Sequence, residues 1–359
     1  MLPMKILHSA DWHLDSPLQG RTPEQTGLLR RALLRIPGQV AQVCMAEQCD
    51  MMLLSGDLFD GPFSLESYQA VYGALKAVNV PVFIAPGNHD FVGNESPWRT
   101  KSWPENVYIF KKPVMEQVTL EDLSCRVYGA GFTSMDCPGL LEGFRAEPGT
   151  AWSVGVLHGE PTQVNTPYCP VTKNQVKASG LDYLALGHIH KGGSFEGGKT
   201  LCAWPGCPMG RGYDEQGEKG VLIVTLEERA SARFVPLDTP RFYDLQVDAQ
   251  EDAGDSMMSV LPAVGNQDFY RITLTGPSNA IDLSALAGRF SQFPNLELRD
   301  HTTPPVDVWS SAGEDSFEGT YFQLLRNALE DADEQTRRQI QLAARISRQI
   351  LDGQEVQLP

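Results

Sequence analysis

The sequence lacks any run of about 18 apolar residues, the length a membrane-crossing helix needs, and Met1 to Leu7 lacks the long apolar stretch of a secretory signal. Both absences lead to the expectation of a cytoplasmic chain with no membrane partner. The seven cysteines, Cys44, Cys49, Cys125, Cys137, Cys169, Cys202 and Cys207, are odd in number and form no CxxC pair. They therefore suggest neither a zinc knuckle nor a redox motif and read as reduced, packed thiols. No GxxxxGK[ST] element is present, so any ATP dependence has to come from another chain. Positive charge is scarce: 29 Lys and Arg stand against 45 Asp and Glu, a formal net charge of -16. That excludes a protein that coats nucleic acid through its overall field. It does not exclude an enzyme acting on phosphates, because carboxylates holding two divalent metals would build a local centre of about four positive charges.

What is present fits a soluble globular chain: 359 residues, 42% of them hydrophobic, enough for one large domain and a smaller appended one. From Met4 to about Leu237 short apolar strands alternate with helical stretches. Strands are expected at Lys5 to His8, Met51 to Leu54, Val82 to Ala85, Ser153 to Leu157, Tyr183 to Leu186 and Val221 to Leu226, with further short ones between Val107 and Phe132 and near Leu201 and Phe234. The helical stretches run from about Glu24 to Cys49, interrupted near Pro37, and from about Ser64 to Val78. So many strands for so few helices predict an α/β fold of two packed sheets with helices outside, an α-β-β-α sandwich. Pro236 and Pro240 bracket a linker. Beyond it the alternation of Tyr243, Leu245 and Val247, of Tyr270, Ile272 and Leu274, and of Leu296 and Leu298, with helical stretches near Ser256 to Val264 and Leu283 to Phe290, predicts a small β-α-β-α-β unit of the α+β type. Two C-terminal helices follow the irregular stretch from Thr302 to Gly313. The first carries Tyr321, Leu324, Leu325 and Ala328 at helical spacing, and the second opens with Asp331 and Glu334 in capping-box spacing. The expected domains are thus 1–237, 241–309 and 314–359.

The histidines carry the chemistry. Five of the seven, His13, His89, His158, His188 and His190, sit in four turns just after expected strands. The turns read Asp11-Trp12-His13, Gly87-Asn88-His89-Asp90, His158-Gly159 and Gly187-His188-Ile189-His190, and a fifth, Gly56-Asp57, offers a carboxylate alone. In an α/β fold the carboxyl ends of the strands lie along one edge, so separate turns can deliver their side chains to one place. Neutral imidazole and carboxylate suit manganese, iron or zinc. One metal cannot use them all, whereas two metals roughly 3.5–4 Å apart, sharing a carboxylate, would leave positions open for water and a substrate oxygen. Each turn alone would pass for an ordinary turn; the five together, in this order, do not.

These residues resemble the calcineurin-like metallophosphoesterase superfamily, whose pattern DxH, GD, GNHD or GNHE, H, GHxH is met without a gap over roughly Met4 to Leu237. The opening His8-Ser9-Ala10-Asp11-Trp12-His13-Leu14-Asp15-Ser16-Pro17-Leu18 and the stretch Gly56-Asp57-Leu58-Phe59-Asp60 are similar to the SbcD nuclease family, in particular its YhaO-like branch of DNA repair exonucleases. The segment Gly210-Arg211-Gly212-Tyr213-Asp214-Glu215 strengthens the finer match. The resemblance implies a metallophosphoesterase β-sandwich in which Asp11, His13 and His190 bind one metal, Asn88, His158 and His188 bind the second, and Asp57 bridges them. Manganese is the metal it implies. It also implies that His89, which is assigned no metal, assists catalysis by protonating the departing oxygen; Asp90 or Asp60 would orient that ring. Serine/threonine phosphatases of the superfamily place an Arg directly after the second Asp of a GDxxDR element, and here Asp60 is followed by Gly61, which speaks against phosphoprotein substrates.

The expected activity is a DNA exonuclease or endonuclease of the SbcD type acting in DNA repair; the alternative is a small-nucleotide phosphodiesterase or phosphatase on the same dinuclear site. By the same resemblance the small unit caps the metal site and selects DNA ends. It implies that the terminal helices dock on an SbcC-like coiled-coil ATPase; Arg337, Arg338, Arg345 and Arg348 face a partner or DNA or else form a solvated helix face, and a homodimer is left open.

Overall fold

A computed structural model describes residues 3–353 apart from 150, 251, 306 and 331. In chain order the elements are β1 (Met4–Ser9), α1 (Pro23–Ala46), β2 (Met51–Leu54), α2 (Leu65–Ala77), β3 (Val82–Ile84), α3 (Pro97–Thr100), β4 (Val107–Ile109), β5 (Glu116–Leu120), β6 (Cys125–Gly129), β7 (Trp152–His158), α4 (Lys173–Ser179) and β8 (Tyr183–Gly187). Then come β9 (Lys191–Gly197), β10 (Thr200–Gly206), β11 (Gly220–Leu226), β12 (Ala230–Pro236), β13 (Phe242–Asp248), α5 (Ala253–Val260), β14 (Phe269–Thr275), α6 (Leu283–Arg289), β15 (Leu296–Asp300), α7 (Phe317–Ala328) and α8 (Glu334–Leu351).

Two six-stranded mixed sheets form, ordered β12-β11-β1-β2-β3-β4 and β5-β6-β7-β8-β10-β9. In the first, β1 to β4 run parallel. In the second, β6, β7, β8 and β10 do. Strand periodicity explains why the sheets stack. Ile6, Met51, Leu53 and Phe83 point to one face and bury against Val127, Val154, Val156 and Ala203 of the second sheet. Their neighbours Leu7, Met52, Leu54 and Ile84 point the other way, onto Leu33, Ile36 and Val40 of α1 and Val71 and Leu75 of α2. On the far side of the second sheet Leu157, Leu184 and Leu186 meet Val176 of α4. Both faces of each sheet are covered, as parallel strands require, and the expected α-β-β-α layering is present.

One expectation is corrected here. Helix α1 is not interrupted: it runs unbroken for 24 residues with Pro37 buried inside it. An interior proline costs a helix about 3 kcal/mol, but Leu29, Leu33, Ile36, Val40 and Cys44 are buried along the same face, each worth about 1.5–3 kcal/mol. Packing overrides propensity. Helix α1 starts on a capping box between Thr22 and Gln25.

The contacts divide the chain into two units. The first holds the residues up to Leu245 with Val264–Arg271 and Phe290–Glu297; the second holds Gln246–Ala263, Ile272–Arg289 and the described residues from Leu298 on. The β-α-β-α-β order is seen, its strands forming a sheet ordered β13-β14-β15. In the second unit α7 and α8 form a hairpin, joined by a Tyr321–Ser347 hydroxyl bond of 2.8 Å and by Arg348, which lies 4.4 Å over the Phe322 ring and pairs with Glu318. Phe322 is the buried anchor of α7, and Leu324 is exposed. Asp331 lies outside the described residues; the cap of α8 is Asp333, which accepts from the Thr336 amide at 2.7 Å.

Candidate metal centre

Five turns at the carboxyl ends of β1, β2, β3, β7 and β8 meet at one edge of the sandwich. The first two are zipped together by the backbone: the amides of Asp11, His13 and Leu14 donate to the carbonyls of Gly56, Asp57 and Leu58, each at 3.0 Å. This holds Asp11, His13 and Asp57 in left-handed conformations, with φ of 55°, 47° and 52°, a region that non-glycine residues seldom occupy. Asp90 adds the third turn. Its buried carboxylate accepts from the amides of Leu58 and Gly87 at 2.8 Å and from Asp57 at 3.2 Å. Asp57 then accepts from the His89 amide at 2.9 Å, and Asp11 accepts from the His188 amide at 3.0 and 3.1 Å. Gly87 has to be glycine, since a Cβ there would stand 2.3 Å from Asp57 Oδ1.

The side chains so placed converge. Ligand atoms of Asp11, His13 and His190, of His13, Asp57 and His89, and of Asp11, Asp57 and His158 each lie within 4.8 Å of one another. Asp57 belongs to two of these groups, and its Oδ2 lies 3.3 Å from His158 Nε2 and 3.8 Å from His13 Nε2. Asn88 Oδ1 is 2.9 Å from His158 Nε2. The His188 ring joins less directly: its centroid is 5.2 Å from that of His158, and its Nε2 is 3.7 Å from Glu160 Oε2. Asp11, His13, Asp57, Asn88 and His158 are all buried. All seven residues expected as ligands therefore gather at one place.

The donor chemistry fits divalent cations. His158 Nδ1 lies 2.8 Å from the Ser55 carbonyl, which can only accept, so that nitrogen carries the hydrogen. In the neutral ring Nε2 is then a bare lone pair, yet it faces two more electron-rich atoms, Asn88 Oδ1 and Asp57 Oδ2. A positive charge between them, a metal ion or a proton, relieves that arrangement. Burial works against a charge on His158, but Asp57 overrides it and raises the pKa to about 9, a proton taking the cation's place. The pattern recurs at His190: Nδ1 is 2.6 Å from Glu215 Oε1, and Nε2 points at His13 Nε2 3.1 Å away. A carboxylate or carbonyl behind a histidine is the usual way a ligand ring is oriented. His13 Nδ1, buried, has no hydrogen-bond partner. Although burial opposes the Asp57 charge, His158 and His13 hold its carboxyl well below the usual carboxylate range.

His89 shares a group with His13 and Asp57 but is more exposed than either, with its side chain 41% exposed and Nδ1 2.7 Å from Asp60 Oδ1. The bond to Asp60 raises its pKa above the usual histidine value. Of the two aspartates expected to orient this ring, Asp60 does so, while Asp90 is turned to the backbone. Arg211 and Glu215 complete the surroundings. Glu215 accepts from the Arg211 amide at 2.7 Å and from Arg211 Nη2 at 2.9 Å, and Arg211 Nη1 is 3.6 Å from Asp60 Oδ2. One guanidinium thus braces the two carboxylates that hold His190 and His89. Sequence reasoning assigned neither residue a role, although both lie in the Gly210–Glu215 segment that strengthens the finer resemblance.

A sequence profile of the calcineurin-like phosphoesterase family matches residues 4–192. The uncharacterized metallophosphoesterase YhaO of Bacillus subtilis (strain 168) is 31% identical over 234 residues, 62% of this chain and 57% of YhaO, so the match spans little more than half of that relative. The SbcD subunit of the SbcCD nuclease of Rhodobacter capsulatus is 24% identical over 306 residues, covering 66% of this chain and 70% of that one. Among solved structures, TT1561 of Thermus thermophilus aligns with a TM-score of 0.40 and 12% identity over 64% of this chain and 98% of its own.

Proposed function

The chain belongs to the calcineurin-like phosphoesterase family, and from that premise we propose that it is a phosphodiesterase of DNA, an exonuclease or endonuclease of the SbcD type acting in repair. The observation that carries the reading is the pair of electron-rich foci on either side of Asp57 Oδ2, one at His13 and one at His158. In this reading Asp11, His13 and His190 hold one divalent ion, Asn88, His158 and His188 hold the second, and Asp57 is shared; manganese is the proposed metal. When bound, the pair supplies a nucleophile at neutral pH and neutralises charge on the phosphoryl oxygens.

The chain's own groups do the rest. Asp60 orients His89 and favours its protonated form, so the exposed imidazolium can give a proton to the departing ester oxygen. Glu215 fixes the tautomer of His190, and Arg211 balances the two carboxylates beside it. The nuclease reading draws on the likeness to the SbcD subunit of the Rhodobacter capsulatus nuclease. We assign residues 241–309 the role of a cap and 314–359 that of a docking segment for an SbcC-like ATPase, to which exposed Phe317, Leu324, Ile350 and Leu351 are suited; self-association of the chain remains compatible. A small-nucleotide phosphodiesterase is the second reading, favoured by the net charge of -16. Incubating the manganese-loaded chain with end-labelled duplex, single-stranded DNA and cyclic dinucleotides separates them. Shortened DNA is the expected result, and hydrolysis of the dinucleotides alone refutes the nuclease.

A further inference from the structure

Beside the centre, on the Arg211 side, a cleft of about 360 Å³ opens between the 16–21 loop and the 211–215 turn. It leads into a larger cavity of about 740 Å³, which shares Gln19, Arg21 and Asp214 with it. The two arginines of the cleft differ. Arg211 is neutralised by Glu215 and Asp60. Arg21 is half-buried, and its guanidinium donates only to backbone carbonyls, those of Gln19 at 3.0 Å and of Arg211, while packing 5.3 Å from the Phe242 ring. No carboxylate of the described residues lies within 4.0 Å of it. Burial works against its charge, and Asp214 and Glu215 act on it only through space, so the site holds a half-buried cation with no carboxylate in direct contact.

Its place in the chain ties this cation to the reaction. The loop that carries it begins with Asp11 and His13, and it bonds to the carbonyl of Arg211, whose side chain reaches His190 Nδ1 at 3.1 Å. One arginine's length therefore separates Arg21 from the centre. Helix α1 starts two residues further on, and Gln25 of its first turn lines the larger cavity. Asp214 also lines the cleft and lowers its net charge, but Glu215 is already committed to Arg211 and His190.

We propose that this cleft is a subsite for a second phosphoryl group of the substrate, one nucleotide away from the scissile phosphate, and that Arg21 recognises it. The inference rests on the phosphodiesterase reading above and narrows it to substrates with consecutive phosphates. A planar guanidinium suits a phosphate's paired oxygens, and an anion there gives Arg21 a directly bonded partner in place of the backbone carbonyls it now meets. A substrate with one phosphoryl group would leave the cleft unused.

The test compares thymidine 3′,5′-bisphosphate with thymidine 5′-monophosphate as competitive inhibitors of bis-p-nitrophenyl phosphate hydrolysis by the manganese-loaded full chain. The two inhibitors differ by one phosphoryl group. The bisphosphate is expected to bind the wild type at least tenfold more tightly. Arg21→Gln should bring the ratio close to one, and Arg21→Lys should restore part of it. Asp214→Asn, which removes the free carboxylate of the cleft, should raise the ratio and serves as well if Arg21→Gln fails to fold. A ratio near one in the wild type, or one untouched by either substitution, overturns the proposal. If the ratio holds while DNA is not cleaved, the nuclease reading falls and the subsite stands; cleavage of DNA with a ratio of one has the opposite meaning.

Discussion

Replacing Asp90 by Ala tests how the turns are held. The carboxylate accepts three buried backbone amides, from Asp57, Leu58 and Gly87, at 3.2, 2.8 and 2.8 Å. Alanine cannot accept any of them, and a buried donor left unpaired costs about 1–3 kcal/mol. Part of the loss is returned, because burial and the nearby Asp57 disfavour a charge on Asp90 and push its pKa up to about 7. A net destabilisation of about 3 kcal/mol follows, which for a unit of this size lowers the melting temperature by roughly 6–12 °C. The damage should extend beyond stability, because the same amides position Asp57 and Asn88, so manganese affinity should fall together with melting temperature. Thermal melts by tryptophan fluorescence and metal titration by calorimetry read the two effects, and Asp90→Asn, which keeps one accepting oxygen, should fall between. An Asp90→Ala chain that melts within 2 °C of the wild type and binds manganese as tightly would refute the reasoning.

His89→Ala should retain metal while kcat on bis-p-nitrophenyl phosphate drops by about 10²–10⁴, the range for general acid–base groups; loss of metal along with activity would make His89 a ligand instead. Glu215→Gln should weaken metal affinity by about 10–100-fold through His190, measured by equilibrium dialysis, and an unchanged affinity would remove Glu215 from the centre. His8 is buried between Tyr183 and Ser55, and burial lowers its pKa from 6.5 to about 3. Because the unfolded chain takes up this proton first, the contribution is present above pH 6.5 and is lost as pH falls towards 3, the loss by pH 5 being about 2 kcal/mol. Urea melts at pH 7 and 5 should show that increment in the wild type and not in His8→Gln; equal pH slopes would contradict it.

The residues that converge at the candidate centre were legible because each sits in a turn directly after an apolar strand, and strand order then determines where the turns meet. Layering was legible for the same reason, as Ile6 and Leu7 alternate between the sheet interface and the helical face. Packing was not. The cost of Pro37 is local, whereas what offsets it is a buried helix face. The choice between Asp60 and Asp90 as partner of His89 depends on where two carboxylates point, which spacing does not carry. Strand β9 escaped because Lys191–Gly197 alternates around glycines rather than apolar residues. Arg211 and Glu215 look like a solvated pair until the fold buries them beside His190.

Anomalous scattering from a manganese-soaked crystal bears most directly on the central claim. Two peaks are expected about 3.5–4 Å apart, on either side of the Asp57 carboxylate, one beside His13 and His190 and the other beside His158 and Asn88. A single peak, or ions bound away from Asp57, would contradict the account.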